Sequence, residues 1–336
     1  MKLLVSDLHL TDSPNETYRW KIFDEIRNQL EKRDITEIIF LGDLTDKKDK
    51  HSSWLVNRIV EEIILTSTLY APVTMYFLKG NHDYIDEKNP FFAFLSKLEG
   101  VCFISKPTMF GNNFFIPHIH NPTKEYFIDL IKNGVDADSY VFLHQPFLGA
   151  KINEKYELEN CIDAIDIFKE LKGRVFSGDI HIPQVLGNIT YVGAPYPLHY
   201  GDEYEGRFIL IEPLTKGFIT TNIPIHSIKK HFITLSVAPY SLEGYKISPE
   251  DHCAIKLKLP KESLAFIDVI KAGIVQQLKI CGVEVYQIDV EKLKEEKFEI
   301  TAIATKSKSP KEIYLEFCKK EKLTLDYQEY GLEVLC

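Results

Sequence analysis

Five short polar clusters recur along the chain, each directly after an apolar run. In chain order they are Asp7-x-His9, Gly42-Asp43-x-x-Asp46, Gly80-Asn81-His82-Asp83, Leu143-His144 and Gly178-Asp179-x-His181. Aspartate, asparagine and histidine are oxygen and nitrogen donors for Mg, Mn, Fe and Zn ions. Two such ions about 3.5–4 Å apart can activate water and neutralise charge on a phosphoryl group. The clusters therefore predict a two-metal centre that hydrolyses phosphate esters.

The five clusters differ in how specific they are. The first is a weak signal by itself, because alternate residues after a strand share a face in many proteins. In the second, Gly42 permits a tight turn, after which Asp43 could bridge two ions through its two carboxylate oxygens. The third is the most specific, because one short loop combines a glycine, an amide oxygen and an imidazole. The absence of cysteine from all five argues against a structural zinc site.

Apolar runs and helical patterns alternate in the first part of the chain. Strands are predicted over residues 1–6, 36–41 and 73–78, with helices from about Tyr18 to Leu30 and from Ser53 to Leu69. Further strand-like runs continue to about residue 223. This alternation predicts an α/β domain, and the clusters lie where open α/β sheets place ligand sites, beyond the carboxyl ends of strands.

The length of 336 residues exceeds what one hydrophobic core usually serves, so two domains are predicted, over residues 1–230 and 231–336. Strand patterns near Ala254–Leu259 and Phe298–Ala304, with helices starting at Glu262 and Ser309, predict a small α+β domain in the second part. No cluster of the catalytic type occurs there.

The chain carries a formal net charge of -9. This balance counts weakly against a nucleic-acid ligand, although bound metals or a basic partner could supply positive charge. No signal-peptide core or membrane-spanning run is present, and the scattered cysteines form no CxxC pair, so a cytoplasmic protein without a membrane role is expected.

The cluster set resembles the pattern of the calcineurin-like metallophosphoesterase superfamily. The resemblance implies a metallophosphoesterase β-sandwich flanked by helices, in four layers α/β/β/α, with a small C-terminal α+β capping domain. It implies a first ion held by Asp7, His9, Asp43 and His181. It implies a second ion held by Asp43, Asn81, His144 and Asp179. Asp43 would bridge the two ions.

The same resemblance implies roles for two further residues. His82 would face the scissile phosphate and protonate the leaving oxygen, and the carboxylate of Asp46 would orient its ring. Asp179 departs from the superfamily, which usually has histidine there, and the added carboxylate favours Mn²⁺, or Mg²⁺, over Zn²⁺. His118-x-His120 is interpreted as part of a rim loop rather than as a metal ligand, and Trp54 as a core residue.

Within the superfamily the chain is most similar to SbcD-type nuclease subunits and their phage recombination endonuclease relatives. Gly193-Ala194-Pro195 matches a segment of that family, and a compact domain follows it. The resemblance implies a DNA exonuclease or endonuclease in recombination or repair, an SMC-like coiled-coil ATPase partner of the SbcC type, and a homodimer. Asp46 departs from the cellular members, which typically have histidine there.

Two other functions stay open on the sequence alone. A phosphatase or small-molecule phosphodiesterase would use the same ligands, and the acidic net charge favours it. A non-catalytic scaffold on the same fold would need the second ion site to be lost, for which Asp179 is the only sign.

Overall fold

Two six-stranded sheets, called the central sheets, are formed by strands between residues 2 and 225 in the computed structural model, which describes residues 1–136, 138–153, 156–164, 166–171, 173–215, 217–292 and 310–321. The strands within these residues are β1 (Lys2–Val5), β2 (Glu37–Phe40), β3 (Thr74–Leu78), β4 (Val101–Ile104), β5 (Thr108–Phe110), β6 (Asn113–Ile116), β7 (Tyr140–His144), β8 (Val175–Gly178), β9 (Gln184–Leu186), β10 (Ile189–Tyr191), β11 (Gly206–Pro213), β12 (Phe218–Ile225), β13 (Lys230–Leu235), β14 (His252–Leu259) and β15 (Tyr286–Lys292).

The helices are fewer than the strands. The α-helices are α1 (Lys21–Lys32), α2 (Ser53–Leu69), α3 (Lys124–Gly134), α4 (Ile267–Ile280) and α5 (Pro310–Lys320). Three 3₁₀ helices cover Pro14–Trp20, Phe91–Lys97 and Lys261–Phe266. Among the residues described, no helix is both long enough and apolar enough to cross a membrane.

The middle strands of each central sheet are parallel. The first sheet has antiparallel strands at one edge, β11 and β12, and the second has them at both edges, β5 and β9. The first has the order β12-β11-β1-β2-β3-β4, in which β1 to β4 are parallel and β11 pairs antiparallel with β1. The second has the order β5-β6-β7-β8-β10-β9, in which β6, β7, β8 and β10 are parallel. The carboxyl ends of the parallel strands of each sheet therefore share one edge, where loops can combine into a site.

Alternating side chains build three hydrophobic layers around these sheets. In β2, Ile38 and Phe40 pack toward α1 and α2, whereas Ile39 packs between the two sheets. In β7, Phe142 packs between the sheets and Val141 packs toward α3. Strands buried on both faces explain the continuous apolar runs in the sequence. The predicted fold class, a mixed α/β protein with two multi-stranded sheets flanked by helices, is confirmed.

Local signals explain where the helices begin. The Ser52 hydroxyl accepts a hydrogen bond from the Leu55 amide at 3.2 Å, and α2 follows with the predicted bounds. The Thr123 hydroxyl caps α3 in the same way, through the Tyr126 amide. Trp54 on α2 is 51% exposed, so its interpretation as a core residue was wrong.

The chain divides into two compact units. The first contains Met1–Leu198 and Glu203–Ser227, and the second contains His199–Asp202 and the described residues from 228 onward. In the second unit β13, β14 and β15 form a parallel sheet, and Ile255 and Leu257 of β14 pack with Ile274 of α4. The strand predicted at residues 298–304 and the predicted cap residue 309 lie outside the described residues, whereas the last helix is present as α5 from Pro310.

Asp251 fixes the entry into β14 in this second unit. Its carboxylate is almost fully buried and accepts hydrogen bonds from the amides of Lys229 and Ser248, at 2.8 and 2.9 Å, and from His231 Nε2 at 2.9 Å. Burial opposes ionisation, but these three donors lower the pKa of Asp251 below its usual value.

We expect Asp251→Asn to lower the opening free energy of β14 by about 1–3 kcal/mol, because an amide cannot accept all three hydrogen bonds. Hydrogen exchange of the β14 amides at pH 7 measures this loss. Because the folded-state pKa is depressed, the stabilisation is present above about pH 4 and is lost as the pH falls through the folded-state pKa. The difference from wild type should therefore shrink in acid. Glu284→Gln, an exposed position in the same unit, is the control, and equal protection of the two variants would contradict the role.

Candidate metal centre

The five polar clusters meet at the carboxyl edges of the two central sheets. Asp7 and His9 follow β1, Asp43 follows β2, and the loop with Asn81 and His82 follows β3. His144 ends β7, and the loop with Asp179 and His181 follows β8. The Asp7 amide donates to the Gly42 carbonyl at 3.3 Å and the His9 amide to the Asp43 carbonyl at 2.9 Å. The pairing of β1 with β2 is thus continued by their loops.

Two glycines let these loops approach each other closely. A Cβ atom on Gly80 would lie 2.2 Å from Asp43 Oδ1, and one on Gly42 would lie 2.2 Å from His144 Nδ1. Gly42 also has a φ of +96°, which favours glycine. Besides allowing the chain to turn, these two glycines therefore leave the space that the donor atoms need.

The Asp43 carboxylate lies between two groups of donors. Its Oδ2 is 3.4 Å from His9 Nε2, and its Oδ1 is 3.4 Å from His144 Nε2. Asp7, His9 and His181 offer donor atoms within 4.8 Å of one another, and so do Asp7, Asp43 and His144. One buried carboxylate that faces a different histidine with each oxygen has the arrangement that bridging two ions requires.

His144 is oriented by a backbone carbonyl. Its Nδ1 lies 2.5 Å from the Leu41 carbonyl oxygen, which can only accept, so Nδ1 carries the proton. Nε2 is then the atom that faces Asn81 Oδ1 at 3.2 Å and Asp179 Oδ1 at 3.5 Å. A histidine whose far nitrogen donates to a carbonyl is held in the tautomer and orientation that metal binding needs.

His9 shows that the donors fit a cation. Its side chain is buried, and neither ring nitrogen has a hydrogen-bond partner among the residues that the structure describes. Burial, together with the nearby imidazoles of His181 and His82, holds the pKa of His9 well below its usual value. A neutral, buried imidazole with unsatisfied nitrogens is costly in a protein interior, and a bound metal ion would satisfy it.

The charges of the centre also favour a cation. Burial, and the neighbouring carboxylates of Asp83 and Asp7, raise the pKa of Asp43 well above its usual value against the opposing effect of His144. Burial alone would lower the pKa of His144, but Asp43 and Asp179 raise it well above normal. Several carboxylates thus converge where positive charge is needed, and divalent ions can supply it.

His82 lies on the more open side of the centre and is only partly buried. Its ring is 4.9 Å from the ring of His9, and its Nδ1 lies 2.8 Å from the backbone carbonyl oxygen of Asp46. The expectation that the Asp46 carboxylate orients His82 requires correction, because the backbone carbonyl makes this contact. The Asp46 carboxylate is exposed, with Oδ1 3.7 Å from His9 Nδ1.

Asp179 and His181 complete the set from β8. The Asp179 amide donates to Asp7 Oδ1 at 3.0 Å. Burial opposes ionisation of the Asp179 carboxyl, but the neighbouring imidazole of His144 lowers its pKa below the usual value. The ring of His181 is 5.0 Å from that of His9, and the His181 carbonyl accepts from the Ala194 amide at 2.9 Å. The structure thus brings all nine predicted side chains into one region.

Several of these residues have unusual backbone conformations. Asp7, His9, Asp43 and Asp179 all have positive φ values, between 42° and 78°. Within the described part of the chain, only Asn121 and Tyr240 share this property among non-glycine residues. Such conformations cost free energy and concentrate at functional sites.

Asp83, the last residue of the third cluster, has a role that was not predicted from the sequence. Its buried carboxylate accepts three backbone hydrogen bonds, from the amides of Asp43 at 3.0 Å, Leu44 at 3.0 Å and Gly80 at 2.7 Å. One side chain therefore joins the loop after β2 to the loop after β3. The only sign in the sequence was a carboxylate next to the candidate donors.

We expect Asp83→Asn to weaken manganese binding roughly 10- to 100-fold, the usual effect of losing a group that supports metal ligands. Oδ2 accepts from both Asp43 and Gly80, and an amide NH₂ there would face two other donors. Titration calorimetry with Mn²⁺ measures the change. Asp49→Asn, at an exposed position, is the matched control. Unchanged affinity in Asp83→Asn would show that the loops hold their positions without this carboxylate.

Three comparisons with known proteins were made, against solved structures, curated proteins and family models. Among solved structures, the chain is similar to the Pseudomonas putida nuclease MPE, with 12% sequence identity, a TM-score of 0.31 and coverage of 66% of this chain and 87% of that one. A search of curated proteins finds no match. The family model described as calcineurin-like phosphoesterase matches residues 3–183, which include all five clusters in full. The chain therefore belongs to the calcineurin-like phosphoesterase family, and it is a metal-dependent phosphoester hydrolase.

Proposed function

We propose that this hydrolase cleaves phosphodiester bonds in DNA, as a nuclease subunit of the SbcD type. The observation that carries the proposal is the Asp43 carboxylate, which faces His9 with one oxygen and His144 with the other while His82 lies beside them. This arrangement suits hydrolysis of a phosphate ester across two ions. The second compact unit, and Gly193-Ala194-Pro195 after the last cluster, support the narrower assignment.

The ligands proposed for the two ions follow the donor groups. The first ion would be held by Asp7, His9, Asp43 and His181, and the second by Asp43, Asn81, His144 and Asp179. When bound, the ions would lower the pKa of water and neutralise charge on the phosphoryl oxygens. Mn²⁺ is proposed as the native ion, with Mg²⁺ as the alternative, because three carboxylates and an amide oxygen make the donor set rich in oxygen.

His82 is proposed as the general acid. Its Nδ1 proton is held by the Asp46 carbonyl, so the ring acts as an acid in its imidazolium form, in which Nε2 carries the second proton and delivers it to the leaving oxygen. The ring is partly exposed and can therefore meet a substrate. Asp46 is a positioning residue that acts through its backbone, and a side-chain substitution there should have a smaller effect than one at His82.

The partners proposed with this function are those of the SbcD-type resemblance. They are DNA, an SMC-like coiled-coil ATPase of the SbcC type and a second copy of the chain, acting in the cytoplasm in recombination or repair. The second unit is proposed to act as a DNA-capping domain. The acidic net charge of -9 favours a different substrate, a small phosphate ester, and makes a phosphatase or small-molecule phosphodiesterase the second candidate.

We expect the purified protein to degrade end-labelled linear DNA in Mn²⁺ and Asp43→Ala to lose this activity, because both ions depend on Asp43. We expect His82→Asn to lower kcat by roughly 10²- to 10⁴-fold, the usual contribution of a general acid. Release of label and titration calorimetry with Mn²⁺ are measured in parallel, with exposed His120→Asn as the control.

Two outcomes would contradict these roles. Hydrolysis of p-nitrophenyl phosphate, without cleavage of DNA or of bis(p-nitrophenyl) phosphate, would establish the phosphatase instead. Weakened Mn²⁺ binding in His82→Asn would make His82 a metal ligand, since its donor atoms also lie within 4.8 Å of those of His9 and Asp43.

Asp179 is tested by two substitutions that its left-handed backbone conformation accommodates. We expect Asp179→Asn to weaken the second of two Mn²⁺ binding events, because a charged ligand is removed. Asp179→His restores the residue usual in the superfamily and should keep two binding events with a shift in preference toward Zn²⁺. Loss of manganese binding in Asp179→His would show that the assignment of this position is wrong.

A further inference from the structure

A pocket of about 540 Å³ with a basic lining lies beside the metal centre. Its charged residues are Lys79, Lys88, Lys106 and Glu87, and its wall also includes His118 and Tyr126. We call it the lysine pocket. Three ammonium groups against one carboxylate give it a positive balance, on a chain whose net charge is -9. Positive charge is thus concentrated at a place that the proposed hydrolysis does not use.

Lys79 is the most unusual residue of the lysine pocket. It is only 4% exposed, and its ammonium lies 4.2 Å from the centre of the Tyr84 ring. Among the described residues, no carboxylate forms an ion pair with it. A buried ammonium without an ionic partner is costly unless an anion can approach it.

The lysine pocket is adjacent to the candidate metal ligands. Lys79 directly precedes Gly80, and its carbonyl accepts from the His118 amide at 2.8 Å. The ring of His118 lies 6.1 Å from that of His144, and its Nδ1 contacts the Tyr84 hydroxyl at 2.9 Å. Burial is the main cause that lowers the pKa of His118 to about 4, so its ring is neutral. This neutral ring lies next to both the lysine pocket and the metal centre.

An aromatic ring completes the wall. Tyr126, near the start of α3, is 39% exposed although most large rings of this unit are buried. Lysines beside an exposed aromatic ring are the usual means of binding a nucleotide of a single strand, with the phosphate on the cations and the base on the ring. A small ester whose one phosphate is bound at the metal centre has neither a second phosphate nor a base that could occupy the lysine pocket.

We infer that the lysine pocket binds the nucleotide next to the scissile phosphodiester. Lys79, Lys88 and Lys106 hold its phosphate, and Tyr126 stacks on its base. This inference rests on the proposed function, and it gives the hydrolase a preference for a polynucleotide strand over esters with a single phosphate. Because the contacts are to phosphate and to a base face, the preference is independent of sequence.

The test measures how fast the full chain hydrolyses each of two substrates in Mn²⁺. One is a ten-residue thymidine oligonucleotide, and the other is bis(p-nitrophenyl) phosphate, which has no neighbouring nucleotide. The main variant is the double substitution Lys88→Ala with Lys106→Ala, since both side chains are exposed and their loss leaves the fold intact. Lys79→Met removes the buried charge while it keeps the length of the side chain.

The matched control is Lys32→Ala with Lys97→Ala. These exposed lysines precede β2 and β4, at the amino ends of the strands. The control therefore removes two positive charges, as the double pocket variant does, but at the opposite edge of the sheet. We expect the pocket variants to raise KM for the oligonucleotide at least fivefold and to lower the slope of log KM against log salt by about one for each lost phosphate contact. Hydrolysis of bis(p-nitrophenyl) phosphate should stay unchanged in all of them.

Tyr126→Ala, with Tyr126→Phe as its control, tests the stacking contact. We expect Tyr126→Ala to raise KM roughly fivefold or more for the oligonucleotide and to leave KM unchanged for an abasic strand of the same length. If wild type cleaves bis(p-nitrophenyl) phosphate and the pocket variants keep the wild-type KM and salt slope on the oligonucleotide, the inference is overturned while diester hydrolysis stands. If wild type cleaves no diester, the proposed function itself fails.

Discussion

The site depends on the buried carboxylate of Asp83 and the three backbone amides that donate to it. Those amides belong to Asp43 and Leu44 after β2 and to Gly80 after β3. Strand pairing fixes where two neighbouring strands end, but it leaves the loops beyond them free to separate. The Asp83 carboxylate holds the two loops together, because buried amides and a buried carboxylate must be paired in a protein interior. The same contacts add a negative charge beside Asp43, which increases the demand for cations there.

Because the loops are held together in this way, residues of the centre can keep backbone conformations that an isolated loop would not adopt. Asp7, His9, Asp43 and Asp179 have left-handed backbones, each of which costs on the order of 1 kcal/mol or more. Backbone hydrogen bonds hold them: the amide of Asp7 donates to Gly42, that of His9 to Asp43, and that of Asp179 to the Asp7 carboxylate. Contacts within the protein itself thus hold the backbone of the donor residues in place.

Much of the fold and of the donor set could be predicted from sequence because both leave local signals. Continuous apolar runs mark the buried parallel strands, the Ser52 cap marks α2, and polar clusters after strands mark the site edge. The signals are weaker for α3, whose only fully buried residue is Phe127, and for the three-residue edge strands β5 and β9. The roles of Asp83 and of the Asp46 carbonyl depend on loops that only the tertiary structure brings together. In the sequence, nothing distinguishes Lys79 from the other lysines, and its burial is evident only in the folded structure.

The pairing of β1 with β11 has a consequence for the order in which the protein can fold. Lys2 is opposite Ile211, so the first strand of the chain has its antiparallel neighbour more than two hundred residues later. During synthesis the strands that precede Asp7, Asp43 and Asn81 are made before residues 206–213. Until those residues are made, β1 has no antiparallel neighbour. Contacts of such long sequence separation slow folding, and an exposed strand edge invites association with other chains. A nascent chain that ended at residue 198 would carry every metal ligand and still lack the strand that closes the sheet beneath them.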